Sequence, residues 1–141
     1  MYKRQSYQKV GKSIYFGHIK KLPCDFDTFE IIDRKIATVT KDKNNVYFKS
    51  EIIEGADPKT FHFLEECVGE NAQHYLQCDI HFYAKDDKNA YFINVPFGYK
   101  VIKTKNVNKF SFKIVNGIGY GIDEVYFYEK GRRKALAQLP K

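Results

Sequence analysis

One segment constrains this chain more than any other, because the rest of the chain repeats it: Thr40 to Phe61, TKDKNNVYFKSEIIEGADPKTF. It opens on a charged turn, Lys41 to Asn45, and runs into the aromatic strand Val46-Tyr47-Phe48. A second strand follows at Ile52-Ile53, then the turn Gly55-Ala56-Asp57-Pro58, and finally an aromatic anchor, Phe61. Asn and Asp hydrogen-bond their own backbone in turns, and Pro pre-sets φ near −65°. Val, Tyr, Phe and Ile suit a pleated, half-buried surface. The unit reads as turn, strand, turn, strand, turn, anchor, and it holds no catalytic group.

Three further copies follow the same order. The first runs from Gly11 through Tyr15-Phe16 to Cys24-Asp25-Phe26-Asp27-Thr28-Phe29. Tyr15 to Phe29 and Tyr47 to Phe61 are both intervals of fourteen residues, and CDFDTF matches ADPKTF at Asp, Thr and Phe. The third, YAKDDKNAYF from Tyr83 to Phe92, closes at Phe110, nineteen residues after Tyr91, with Pro96-Phe97-Gly98 as the turn of its longer hairpin. The fourth is Gly119 to Tyr128 with a basic turn at Lys130 to Lys134. End units of an array are commonly irregular because they must cap it. Between copies, Ile31-Ile32 and Ile36 to Val39 are expected as strands around an Asp33-Arg34-Lys35 turn. Ile80 to Ala84 and Phe110 to Val115 are expected as strands as well. Leu64 to Gln77 is expected as a loop or one short helix, since Gly69 and Asn71 interrupt a helical period. Asp57-Pro58 could open a single helical turn.

The expected fold is therefore mainly β: a single domain, residues 1–141, of about four repeated β-hairpin units in an antiparallel meander, with at most one or two short helices. A chain of this length can bury an ordinary core without staples. Aromatics, all Tyr and Phe, make up 16% of it, and they fall on the repeat's strand positions. The three cysteines, Cys24, Cys67 and Cys78, are odd in number and irregular in spacing, which argues against a disulfide framework and for a reducing compartment. The N-terminus lacks an apolar h-region, and no apolar run reaches the length of a membrane span. A soluble cytoplasmic protein with no membrane contact is expected.

DKNNVYF followed by GADPKTF, with DKNAYF after it, resembles the DKNYW repeat family of bacterial proteins. Its unit runs as tyrosine, alanine, lysine, DKN, an aromatic pair, a hairpin and GAD-P-x-T-F. The resemblance covers nearly the whole chain and is strongest in the second copy. It implies a repeat-built scaffold and no particular activity.

Residues that could carry chemistry have simpler roles. Cys67, His74, Cys78 and His81 are zinc-ligand types, yet no CxxC or HxxxH element spaces them, so no metal is expected. No GxSxG elbow, phosphate loop or HExxH element is present. The DKN acids lack the spacing of a calcium loop and read as turn formers. His18 and His62 lie beside strand and anchor residues rather than in a nucleophile pair. Neither an enzyme nor a cofactor is expected.

Charge is the remaining signal. The net charge is +7, but it is unevenly spread. Met1 to Leu22 holds six basic residues and no acid, whereas Glu51 to Asp79 holds seven acids against Lys59 alone. Such asymmetry fits either two faces of opposite sign or charges that average out over a solvated surface, and with no catalytic motif present a binding role is expected. The expected function is an immunity-type module that binds and neutralises a cognate toxin domain. A basic toxin would meet Glu51, Glu54, Glu65, Glu66, Glu70 and Asp79; an acidic one would meet Lys20, Lys21, Arg132 and Arg133. The alternative is a nucleic-acid-binding β protein that uses Lys3, Arg4, Lys9 and Lys12, Lys100, Lys103, Lys105 and Lys109, and the Arg132 to Lys134 run together with its aromatics.

Overall fold

The computed structural model describes residues 7–17, 20–69 and 80–141. Among them lie fifteen short strands, one four-residue α-helix and three single turns of 3₁₀-helix. The strands form four sheets in strict chain order, each an antiparallel meander.

The first sheet comprises β1 (Tyr7–Val10), β2 (Ser13–Phe16) and β3 (Lys20–Lys21). The second comprises β4 (Glu30–Ile31), β5 (Val39–Lys41), β6 (Val46–Phe48) and β7 (Glu51–Ile52). The third comprises β8 (His62–Phe63), β9 (His81–Lys85), β10 (Ala90–Asn94) and β11 (Gly98–Ile102). The fourth comprises β12 (Ser111–Val115), β13 (Ile118–Ile122), β14 (Tyr126–Glu129) and β15 (Arg132–Ala135). The repeat read from the sequence is thus the repeat of the fold, one sheet per copy. Its phase differs. Phe61 closes the unit in the sequence, but in space it stands immediately before β8 and packs on Tyr91 of the third sheet, ring centroids 5.1 Å apart. The Tyr-to-Phe interval therefore spans the joint between two sheets.

Two local expectations need adjusting. Ile36 does not start a strand: Arg34–Ile36 is a 3₁₀ turn capped by Asp33, whose carboxylate accepts the Lys35 N–H at 2.8 Å. That cap satisfies a donor the turn would otherwise leave open and swings Ile36 into complete burial. Asp57 likewise accepts the Lys59 N–H at 3.0 Å, but the chain stays a turn. The one α-helix, α1 (Glu65–Val68), lies where a short helix was expected.

The chain divides into two compact units, Met1–Lys59 and Thr60–Lys141. In the first, Ile14, Phe16, Leu22 and Tyr47 are buried together, with Tyr7, Cys24, Phe26, Phe29 and Ile52 against them. In the second, Tyr83 is the centre of an aromatic cluster. Its ring lies 5.2 Å from Phe92, 6.0 Å from Phe110 and 5.8 Å from Phe112. Tilted pairs at these distances suit the ring quadrupole and add to the burial of each ring. The aromatic positions of the repeat are its core.

Candidate functional site

Three of the four repeats share a buried carboxylate in the turn between their second and third strands. Asp42 accepts the backbone N–H groups of Asn44 and Asn45, each at 2.8 Å, and the Tyr47 hydroxyl at 2.6 Å. Asp86 accepts the N–H groups of Lys88 and Asn89 and the Tyr91 hydroxyl, with the same three distances. Asp123 accepts those of Val125 and Tyr126 at 2.8 and 2.7 Å and the Tyr128 hydroxyl at 2.8 Å. In each case the tyrosine lies five residues after the aspartate. Turn and core are tied by one carboxylate.

The same oxygens also tie one repeat to the next. Asp42 receives the Asp25 N–H at 2.7 Å, and Thr28 accepts the Lys43 N–H at 3.0 Å. Both Asp25 and Thr28 belong to the CDFDTF segment that ends the first copy. In the second unit, Thr60 accepts the Asp87 N–H at 3.0 Å, and the Thr104 hydroxyl donates to Asp123 at 2.8 Å. A tyrosine makes a further tie. The Tyr7 hydroxyl stands 2.8 Å from the carbonyl oxygens of Thr38 and Lys49 in the second sheet. The Tyr83 hydroxyl donates to the Tyr128 carbonyl at 3.1 Å and accepts the Gly131 N–H at 3.3 Å in the fourth.

These contacts set the electrostatics. Burial alone would raise the Asp42 carboxyl; the Tyr47 hydroxyl and the amides of Asp25, Asn45 and Asn44 outweigh it and hold the group below the usual carboxylate range. Asp123 is lowered on the same balance, its burial overcome by the amides of Tyr126 and Val125 and the hydroxyls of Tyr128 and Thr104. Burial, reinforced by the adjacent carboxylate, raises the hydroxyls of Tyr47, Tyr91 and Tyr128. These acids are held ionised, as acceptors. The lysine before the turn is also engaged: Lys41 donates to the Pro58 carbonyl at 3.1 Å and lies 3.5 Å from Glu30, and Lys85 donates to the Phe110 carbonyl at 3.0 Å. An open cleft of about 280 Å³ lined by Thr28, Glu30, Lys41, Asp42, Lys43, Pro58 and Lys59 is walled by these engaged groups.

Cys67 is buried, and burial pushes its thiol up to about 12, which leaves it protonated and unreactive. His81 is buried against the Phe92 ring, centroids 5.2 Å apart, with a ring nitrogen 3.4 Å from the Asn94 amide. His74 and Cys78 lie outside the described residues. Among those described, no group of three or more His, Cys, Asp or Glu side chains could hold a metal ion.

The charged surface residues are placed unequally. Glu51 and Glu54 are exposed in the first unit, at β7 and the turn after it; Glu65 and Glu66 are exposed on α1 in the second. Glu70 and Asp79 lie outside the described residues. No single unit therefore gathers the four described acids. Lys20 and Lys21 are exposed side by side on β3 of the first unit. Arg132 and Arg133 are exposed on β15, and Arg133 sits with its guanidinium 4.6 Å from the centre of the Tyr126 ring. Arg133 also lines an open cleft of about 380 Å³ together with Lys100, Val101, Ile102, Lys103, Tyr128 and Gly131. The sequence names Lys100 and Lys103 as basic residues; their meeting with Arg133 comes from the packing of β11 beside the β14–β15 hairpin. The available signal was an acid-free run from Val95 to Ile122 that holds five lysines.

Among the described residues no helix is long and apolar enough to cross a membrane. Neither the curated proteins nor the solved structures contain a match to this chain. The model of the DKNYY family does match, over residues 7–140, a span that takes in all four sheets and bears out the resemblance read from DKNNVYF and GADPKTF. The chain belongs to the DKNYY family.

Proposed function

We propose that this protein is a non-enzymatic binding module that holds a protein partner, in the manner of a bacterial immunity protein neutralising a cognate toxin domain. One observation carries the reading. The buried ionisable groups of the repeats are spent on holding the scaffold, while the β10–β11 hairpin of the second unit displays groups suited to a partner. Phe97, 83% exposed, stands at the turn of the β10–β11 hairpin, and Lys100 is exposed on its outer strand. Exposed aromatic side chains are among the groups that most often anchor protein interfaces. Electrostatic complementarity would add association rate and specificity.

Co-expression with the product of the neighbouring gene tests it. A one-to-one complex that survives gel filtration, and growth restored in cells poisoned by that neighbour, are expected. Phe97→Ala should weaken the complex about tenfold or more, a loss of about 1.4 kcal/mol. Absence of both complex and protection overturns the reading. A nucleic-acid role draws on the five lysines from Lys100 to Lys113, but Phe97 is the one Phe or Tyr ring classed as exposed among the described residues, so platforms for base stacking are few. Oligonucleotide binding that falls steeply between about 50 and 200 mM salt would favour that role instead.

A further inference from the structure

The cleft beside β11 draws its cations from two repeats: Lys100 and Lys103 from the third sheet, Arg133 from the fourth. Its lining holds no carboxylate. Two acids of the adjoining fourth sheet are occupied. Asp123 accepts from Val125, Tyr126, Tyr128 and Thr104, and Glu129 pairs with Lys134 at 2.7 Å. One of the three cations is held in place, and the stem of a second lies against a neighbouring turn. A Cβ on Gly131 would stand 3.0 Å from the Phe92 Cβ and 3.3 Å from the Lys100 Cδ, so the Lys100 stem lies against the hairpin turn. Arg133 is stacked on Tyr126. Side chains fixed before binding lose less entropy on binding, and a concave site of one sign focuses the field on an incoming opposite charge.

We infer that this cleft receives an acidic segment of the protein partner, with a carboxylate taken by the Arg133 guanidinium and flanked by Lys100 and Lys103. The inference rests on the binding-module reading and chooses the basic surface over the acidic one. A planar guanidinium matches a carboxylate with two parallel hydrogen bonds. The lining offers no ring face for a nucleobase: its one aromatic residue, Tyr128, is buried.

Calorimetric titration of the full chain with a short polyglutamate peptide at low salt reads the site directly. Removing two charges with Lys103→Gln and Arg133→Gln should weaken binding about tenfold or more. The same charge loss in the other unit, Lys20→Gln with Lys21→Gln, should leave it unchanged. Circular dichroism checks that both variants fold; Lys103→Gln alone, at an exposed side chain, keeps the test if the pair does not. Three results overturn the inference: no peptide binding, equal losses in the two variants, or tighter binding of a poly-dT oligonucleotide of equal charge. If the partner complex forms and persists through Lys103→Gln/Arg133→Gln, the cleft assignment falls while the binding-module reading stands. If no partner complex forms, the reading falls, and a peptide titration unaffected by the cleft variant separately removes the site.

Discussion

The β1–β2 hairpin and its three counterparts, β5–β6, β9–β10 and β13–β14, make the same bend by different means. Between β1 and β2 the turn is Gly11-Lys12, two residues, with Gly11 at φ +62°, a conformation that costs glycine nothing. Five residues before its tyrosine, Tyr15, stands Val10, 61% exposed. The later turns are longer, and each is organised by a buried aspartate that reaches the tyrosine beyond it. A carboxylate is therefore not required to form the hairpin. What the later turns have in addition is a joint: Asp42 and Asp123 also bind donors from the segment that ends the repeat before. At Asp42 and Asp123 the turn aspartate is a clamp between repeats as well as a turn former.

The comparison breaks most clearly at Asp42. Asp42→Ala leaves three amides and the Tyr47 hydroxyl without their acceptor, and should cost about 3–5 kcal/mol in chemical denaturation. Tyr47→Phe removes one charge-assisted bond and should cost about 2 kcal/mol. Equal costs for the two would mean that the tyrosine, and not the turn and joint, accounts for the effect. Asp33→Ala, which removes an exposed cap with no link to another repeat, should cost about 1 kcal/mol. Val10→Ala, at the position where the first repeat lacks its aspartate, should stay within about 0.5 kcal/mol. A large loss there would show that the first turn depends on position 10 after all.

Acidity sharpens the same contrast. Asp42 and Asp123 are lowered in the folded state, so the stability they contribute is complete above the unfolded carboxyl value of about 4 and is lost as pH falls through their folded values. Thermal melting should therefore drop below about pH 4. In Asp42→Asn with Asp123→Asn the melting temperature should be lower at neutral pH and flatter on the acid side. An unchanged acid slope would place the titration elsewhere.

Much of this was legible in the sequence because turns and strands are local. The spacing of Tyr15, Tyr47 and Tyr91 from their following phenylalanines marks the repeat, and Asp, Asn and Pro mark its turns within a few residues. The strand expected at Ile36 was not legible correctly, because one side-chain cap at Asp33 decides between two conformations a short apolar run can adopt equally well. The role of Asp42 was only half legible. Its turn is local, whereas its partner Asp25 lies 17 residues away.

By itself, then, the sequence of this DKNYY family member determined a mainly β chain of repeated hairpins in an antiparallel meander, with its aromatics on the strand positions that form the core. The strand preference of Tyr and Phe and the φ/ψ preferences of Asp, Asn, Gly and Pro suffice for that. Only the tertiary structure decided that the repeat unit ends inside the next sheet, that Tyr83 reaches 48 residues ahead to Gly131, and that Lys100 and Lys103 meet Arg133 in one cleft. Those outcomes depend on how one sheet is set against the next. That setting is made by side chains far apart in the chain, which no local period records.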